Sequence, residues 1–416
     1  MRIKNTKLLV SLFAIIPSLA VANAFNVNWQ GAKATAMGEA FVAQADDASA
    51  VYYNPAGMSQ LDGKNIIGGG TIVTTQHKLN TDDDYTYYGK NGIFFVPNVF
   101  YTQKINDHIS VGAGVYANYG LGTKHGDGFP TKYLLGNKET YVQAASVTSA
   151  ISYQVTPKLS IAAGGVYQFL ELKLKSKVNS KSLSGGVIEQ DGEWDFDFDD
   201  DGAWGYNLGV LYKANDQFSI GLNYKSKITH DLSGDSKVSI DSALSSISTM
   251  LTKDVTASVT MPANASVGVA YKQAQWTIEV DALWVGWSDF DKIYIPELDA
   301  TALKNYDNTV SYHFGLQYVL SDVVSLRGGF VYDPTPIPSS TLDPTLPSGD
   351  RYSTSVGIGF NLKNNWTIDV AYQYIIDKGG YFDNSTGTDS LTGLHYQGDL
   401  SGVVFNIIGL SVSKKL

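Results

Sequence analysis

Cysteine is absent from the chain, which excludes a disulfide framework, a thiolate nucleophile and any cysteine-held metal. Long hydrophobic runs are missing beyond residue 21. The most apolar later stretches break within about ten residues, well short of the roughly 20 that a membrane-spanning helix needs. Helical periodicity is scarce throughout. The six histidines show no local grouping with a nucleophile, so the pattern does not point to an enzyme, and no cofactor is implied. Positive charge is also short: 30 Lys and Arg stand against 40 Asp and Glu, a formal net charge of −10. Nucleic-acid phosphates need neutralising cations, so nucleic acid is excluded as a partner.

What is present begins with an export signal. Arg2, Lys4 and Lys7 form a basic start, Leu8 to Val21 an apolar core, and Ala22-Asn23-Ala24 a small-x-small cleavage site. Residues 1–24 are therefore read as a signal peptide, with Phe25 as the first mature residue. Its removal takes away three positive charges and leaves a net charge of −13. The remainder, with 41 Gly and 26 Tyr, has the composition of one large all-β unit.

From about Asn65 onward, apolar residues recur at every second position. Trp276, Ile278, Val280, Ala282 and Trp284 alternate with Thr277, Glu279 and Asp281. Phe218, Ile220, Leu222 and Tyr224 alternate with Ser219, Gly221, Asn223 and Lys225. Period two puts each set on its own face of a strand. Aromatics gather at the strand ends and Ser, Thr, Asn and Gly fill the other face, as in a transmembrane barrel. Connections alternate between short and long. The short ones lie near 105–108, 156–158, 214–217, 272–275, 321–322 and 363–365. Between them lie long loops near 78–92, 122–139, 178–202, 230–255, 289–307, 334–350 and 378–395. A soluble β-sandwich has no reason to alternate loop lengths in this way, or to keep its strands so long. The expectation is a membrane-spanning antiparallel β-barrel of about 14 strands over 65–416, with long loops outside and short turns in the periplasm.

Two long loops have patterns of their own. Ile240, Leu244, Ile247 and Leu251 fall at helical spacing, which predicts a short amphipathic helix within 239–252 over the barrel mouth. Residues 193–202 alternate acid and aromatic. Clustered carboxylates suit calcium, but the run lacks the full calcium-loop pattern, so a solvated acidic loop without metal is expected.

A barrel of 14 strands leaves a lumen unless something fills it. Residues 25–64 precede the first strand, and their first part is too apolar for an exposed tail, so they are expected to fold into the lumen as a plug. Within them Asp47, Asn54, Pro55 and Ala56 are read as structuring residues, Asn-Pro being a turn initiator that discourages helix at Asn54.

Gly38-Glu39-Ala40-Phe41, Ala45-Asp46-Asp47-Ala48 and Asn54-Pro55-Ala56 resemble the N-terminal hatch of the FadL/TodX family of outer-membrane transporters for long-chain fatty acids and hydrophobic compounds. Val96-Pro97-Asn98, Asn118-Tyr119-Gly120-Leu121, Met261-Pro262-Ala263, Trp287-Ser288-Asp289-Phe290 and Asp350-Arg351-Tyr352 extend the resemblance in order along the chain. It implies a 14-stranded barrel with a hatch. It also implies uptake of a hydrophobic ligand captured by outer loops and released sideways where the third strand kinks, at Asn118 and Gly120. A basic residue of the family's fifth strand falls on Leu174, between Lys173 and Lys175. By parity Lys173, Lys175 and Arg327 face inward, with Glu279, Asp281, Asp369 and, alone among the histidines, His313. A carboxylate ligand needs a cation with an apolar cavity behind it, so Lys173, Lys175 and Arg327 are the candidate ligand-binding residues. Their alternative use is pairing with one another or with the hatch. The other expected partners are outer-membrane lipid and lipopolysaccharide around a monomer. A porin for polar solutes and an adhesin or receptor are the competing readings.

Overall fold

The structure is a computed structural model that describes residues 24–81, 86–89, 92–124, 136–179, 191–240, 245–342, 348–383 and 397–416. The signal segment, apart from Ala24, lies outside the described residues.

Fourteen wall strands close into one antiparallel barrel. They are β1 (Lys64–Thr81), β2 (Gly92–Lys104), β3 (Ile109–Lys124), β4 (Gly136–Thr156), β5 (Leu159–Asn179), β6 (Asp191–Asp199 continuing as Ala203–Lys213), β7 (Phe218–Lys225 continuing as Ile228–Ser239), β8 (Lys253–Met261 continuing as Asn264–Gln273), β9 (Trp276–Val285), β10 (Thr309–Val319), β11 (Val324–Asp333), β12 (Arg351–Asn361), β13 (Trp366–Asp377) and β14 (Gln397–Lys415). Each pairs with the next over at least part of its length, and β14 closes on β1 from Asn65↔Lys415 upward, so the strands form a closed ring. Short turns join strands at one end, where the chain also enters β1 and finishes β14.

The membrane band is legible in exposure. Leu222, Val269, Val280, Phe314, Val356 and Leu410 point outward and are exposed. Aromatic pairs lie at strand ends, with Trp276 and Tyr318 centroids 4.4 Å apart at the short-turn end. Inward positions on the same strands, such as Asn223, Glu279, Asp281 and Gln373, are polar and buried.

Above this band the pattern reverses. On β5, Ser160 and Gln168 face in while Ile161 faces out; further up, Leu170 and Leu172 are buried and Glu171, Lys173 and Lys175 lie on the outer face. The outside of the wall meets hydrocarbon below and water above, so the face that gains from burial changes along one strand. This corrects the inward assignment of Lys173 and Lys175. Residues 193–199 are likewise strand, not loop: β6 places Trp194, Phe196 and Phe198 inside and the acids outside, paired to β5 and β7. The 178–202 and 230–255 segments thus contain wall strand that the loop assignment missed. The predicted helix is present as α3 (Ser245–Leu251), with Ile240 and Leu251 packed on the large apolar cluster; Leu244 lies outside the described residues.

Residues 24–61 form two short helices, α1 (Ala32–Ala36) and α2 (Ala50–Tyr53), and a 3-10 turn over Pro55–Gln60. This segment is nearly all buried and meets inner wall faces around the ring: α1 lies on β11 to β14 and β1, α2 on β2 to β4, and the turn on β2 to β6. Wall glycines mark the closest approaches. A Cβ at Gly221 would sit 2.1 Å from the Val42 carbonyl oxygen, and one at Gly209 2.5 Å from Asn54 Oδ1. Only a residue without a side chain fits between two backbones this close.

Candidate functional site

Docking of the N-terminal segment starts with two wall carboxylates. The Phe41 and Val42 amides donate to Asp281 Oδ2 at 2.9 and 3.1 Å. The Ala43 and Gln44 amides donate to Glu279 Oε1 and Oε2 at 2.6 and 2.9 Å. Successive inward positions of β9 therefore hold four consecutive backbone N–H groups that no helix or strand satisfies. Leaving any of these buried polar groups without a partner would cost about 1–3 kcal/mol, so the four bonds fix the segment against β9. His313 adds a bond between Nδ1 and the Gly38 carbonyl at 2.8 Å.

Asn54 works at two levels. Its Oδ1 accepts from Ala56 N at 3.2 Å, capping the turn that Pro55 opens, and its Nδ2 donates to the carbonyls of Val42 at 2.8 Å and Val210, on β6, at 3.0 Å. Ala56 is fully buried, and its carbonyl accepts from Ser152 Oγ at 3.3 Å. Asp47 Oδ1 accepts from the Ser49 amide at 2.8 Å and from its hydroxyl at 2.5 Å. Burial raises the Asp47 carboxyl above the usual range, against the nearby Lys33. For Asp46, burial is the largest influence and acts upward, but Lys33 at 2.6 Å and other partners outweigh it, leaving the carboxyl below its usual value.

The third strand is irregular within the segment 117–120. Between β3 and β4 the register shifts from Ala117↔Ala145 to Tyr119↔Ala144, leaving Asn118 as a bulge. The β2–β3 ladder ends at Asn98↔Tyr116. Beyond it the N-terminal segment takes the vacated edge: Val27 N donates to the Asn118 carbonyl and Gly120 N to the Phe25 carbonyl, both at 2.8 Å. Gly120 itself has no left-handed backbone, and a Cβ there would meet only Val27 Cγ2 at 3.6 Å. The bend therefore belongs to Asn118. Its Oδ1 accepts from Ser146 Oγ at 2.8 Å and Gln168 Nε2 at 2.9 Å. Gln168 Oε1 meets His230 Nε2 at 3.1 Å, and His230 Nδ1 bonds Asp200. His230 is thus a second inward histidine that parity reading missed, because it lies beyond the break in β7.

The proposed cations do not gather. Lys173 pairs on the outer face with Glu171 at 2.6 Å and Asp197 at 3.7 Å, and Lys175 is exposed on the same face. Arg327 does face inward, but its Nη1 donates to Asp369 at 2.7 Å and its Nε to Gln317 at 2.8 Å. Among the described residues, inward cations outside the parity set include Arg351, whose Nε donates to Asp377 Oδ2 at 2.7 Å, and Lys225, whose Nζ stands 3.2 Å from the Tyr52 ring centroid. The position of Lys225 opposite Tyr224 in the β7 alternation carried the signal. Among the described residues no cluster of three or more His, Asp and Glu could hold a metal, residues 193–199 included.

Above the docked segment, Phe25 makes edge-to-face contacts with Trp287 at 4.9 Å and Phe290 at 5.2 Å. These rings join Trp29, Leu170, Leu172, Trp194, Phe196 and Phe198 in one apolar cluster. This apolar cluster, which also holds Phe94, Val96, Ala117 and Tyr119, lies beside the weakly paired stretch of wall between β2 and β3.

Comparison with known proteins bears on the fold and the family. An outer membrane protein of Neisseria meningitidis is 26% identical over 90% of each chain. The long-chain fatty acid transport protein of Escherichia coli O6:H1 is 24% identical over 80% of this chain and 81% of its own. In fold, the crystal structure of a Pseudomonas aeruginosa FadL homologue matches with a TM-score of 0.84 at 20% identity, covering 94% of this chain and 99% of that one. The toluene transporter TbuX of Ralstonia pickettii matches with a TM-score of 0.67 at 20% identity, over 93% and 98%. The family model described as outer membrane protein transport protein (OMPP1/FadL/TodX) matches residues 13–415, and the chain belongs to this outer-membrane transport family, which consists of transporters rather than enzymes.

Proposed function

We propose that the protein takes up long-chain fatty acids or similarly hydrophobic molecules, captured by its outer loops and released sideways through the wall at β3. The polar sugar layer of the outer membrane excludes such molecules, and the apolar cluster around Phe25 and Trp287 is the surface that suits them inside it. Residues 25–64 act as the hatch that turns a wide barrel into a selective carrier, and 65–416 are the barrel, working as a monomer among lipid and lipopolysaccharide. The observation that carries the reading is the end of the β2–β3 ladder at Asn98↔Tyr116, with Phe25–Val27 bonded to the bulged edge beyond it. A wall stretch held by a separable segment costs less to open than one held by a neighbouring strand. Relatives named for fatty-acid transport and matching structures of toluene transporters support the substrate class.

The test compares oleate and toluene uptake by cells with and without the protein. Uptake of at least one compound is expected to depend on it, and to fall when Gly120→Val pushes a branched side chain toward Val27. Unchanged uptake of both on removal, with high ion conductance of the purified protein, would sink the reading in favour of a porin.

A further inference from the structure

A hydrogen-bonded line of side chains runs along the inner wall from the bulge in β3 to the break in β6. Gln168, fully buried on β5, stands at its centre. Its Nε2 donates to Asn118 Oδ1 and to Ser146 Oγ, each at 2.9 Å, and the Ser146 hydroxyl donates to the same Asn118 oxygen. With its amide nitrogen engaged in this way, Gln168 turns Oε1 to His230 Nε2 at 3.1 Å. The other imidazole nitrogen bonds Asp200 Oδ2, and Asp200 Oδ1 accepts from the Leu170 amide at 2.9 Å. The Asp200 amide donates back to the Leu170 carbonyl at 3.3 Å. The His230 and Asp200 side chains are both buried. A buried polar network of this kind fixes one arrangement of its members, because any other leaves some of them unpaired. Its two ends matter for the wall. At one end Asn118 is the bulged residue, without a partner in the β3–β4 ladder, and its carbonyl receives Val27 N. At the other end Leu170 belongs to the apolar cluster that contains Phe25 and Trp287.

We propose that Gln168, His230 and Asp200 are positioning residues for the side opening. A bulged residue takes its orientation from whatever holds its side chain, since the ladder does not. By holding the Asn118 side chain, the line sets the peptide on which the N-terminal segment docks. It thereby sets how readily Phe25–Val27 leave the edge of β3. Asp200 keeps the imidazole facing Gln168, the imidazole keeps the Gln168 amide turned toward Asn118, and each acts only through the next. The inference rests on the reading of β3 as the release site and names the residues that hold that site in its closed form.

The test measures amide hydrogen exchange of the purified full-length protein in detergent, without ligand. The readout is the pair of amides that bond across the edge, Val27 and Gly120. Gln168→Glu keeps the side chain's shape and the acceptor that faces His230, but removes both donors to Asn118 and Ser146. It is expected to speed exchange of these two amides about tenfold, the effect of losing about one net hydrogen bond. The ladder amides of Leu222 and Val267 should stay within about twofold of wild type, as amides outside the opened unit do. Asp200→Ala, which frees the imidazole, should speed the same two amides. Asp200→Asn should restore them, because its oxygen can accept from Leu170 N while its amide nitrogen donates to His230 Nδ1, leaving Nε2–H for Gln168. A residue that merely fills space would show no such rescue. Should Gln168→Glu fail to form a heat-resistant barrel, the two Asp200 variants decide alone. The proposal is overturned if neither Gln168→Glu nor Asp200→Ala speeds the edge, if Asp200→Asn exchanges as fast as Asp200→Ala, or if all wall amides speed up equally. Oleate and toluene uptake are scored separately on the same proteins: a faster edge with unaltered uptake keeps the positioning role and overturns sideways release at β3.

Discussion

At the scale of single residues, the inner wall is built around what it must let through. Gly221 and Gly209 are wall positions where the enclosed segment presses its backbone or Asn54 against the strand. Gly221→Ala would place a methyl 2.1 Å from the Val42 oxygen. It is expected to destabilise the protein by about 1–3 kcal/mol in urea unfolding, as overpacking does. Gly165→Ala, whose Cβ meets only Trp204 at 3.8 Å, should stay within about 0.5 kcal/mol, as surface changes usually do. Alternation identified which wall side chains point inward in the membrane band, including Glu279, Asp281 and Arg327. It could not say which inward charges are already occupied. Arg327 is consumed by Asp369, while Lys225, in the same kind of alternation, is left to a tyrosine ring. Partners arrive from distant strands and from the N-terminal segment, so no local pattern reports them.

Strands of this barrel change solvent along their length. β5 and β6 leave hydrocarbon and enter water on the outside, while their inside remains packed. Phe198, fully buried, and Asp197, exposed beside Lys173, therefore respond in opposite ways. Phe198→Ala is expected to cost about 3–5 kcal/mol, the usual range for a buried aromatic. Asp197→Ser should change stability by less than about 0.5 kcal/mol, since exposed ion pairs contribute little; thermal unfolding in detergent compares the two. Parity carried inward for Lys173 and Lys175 failed here because it assumed one outer solvent from end to end. The α3 helix was legible because its apolar spacing is local. The kink in β3 was legible only through the family resemblance, which pointed at Asn118 and Gly120; the register shift lies at Asn118. Deleting Asn118 should restore a regular β3–β4 register, and oleate uptake should fall at least as far as with Gly120→Val.

For the whole molecule, closure and filling are separate achievements. Closure comes from 14 strands that each pair with both neighbours over at least part of their length, β14 returning to β1. Filling comes from residues 24–61, which bury almost every side chain against that ring. A protein lacking residues 25–61 is expected to keep its strand content by circular dichroism, yet to conduct ions as an open pore in planar bilayers. Wild type should conduct far less. Equal conductance of the two would show that the segment does not close the lumen.

The sequence by itself determined the class of structure, because period two, aromatic strand ends and alternating loop lengths are local consequences of a strand crossing a membrane. It also marked the segment that ends at Asn54-Pro55-Ala56 as needing an enclosure. Only the tertiary structure decided which carboxylates grip that segment, which residue bends the third strand, and which inward cation is left without an anion. Each of those is a competition between groups far apart in the chain, settled by which partner the closed ring brings within hydrogen-bond distance.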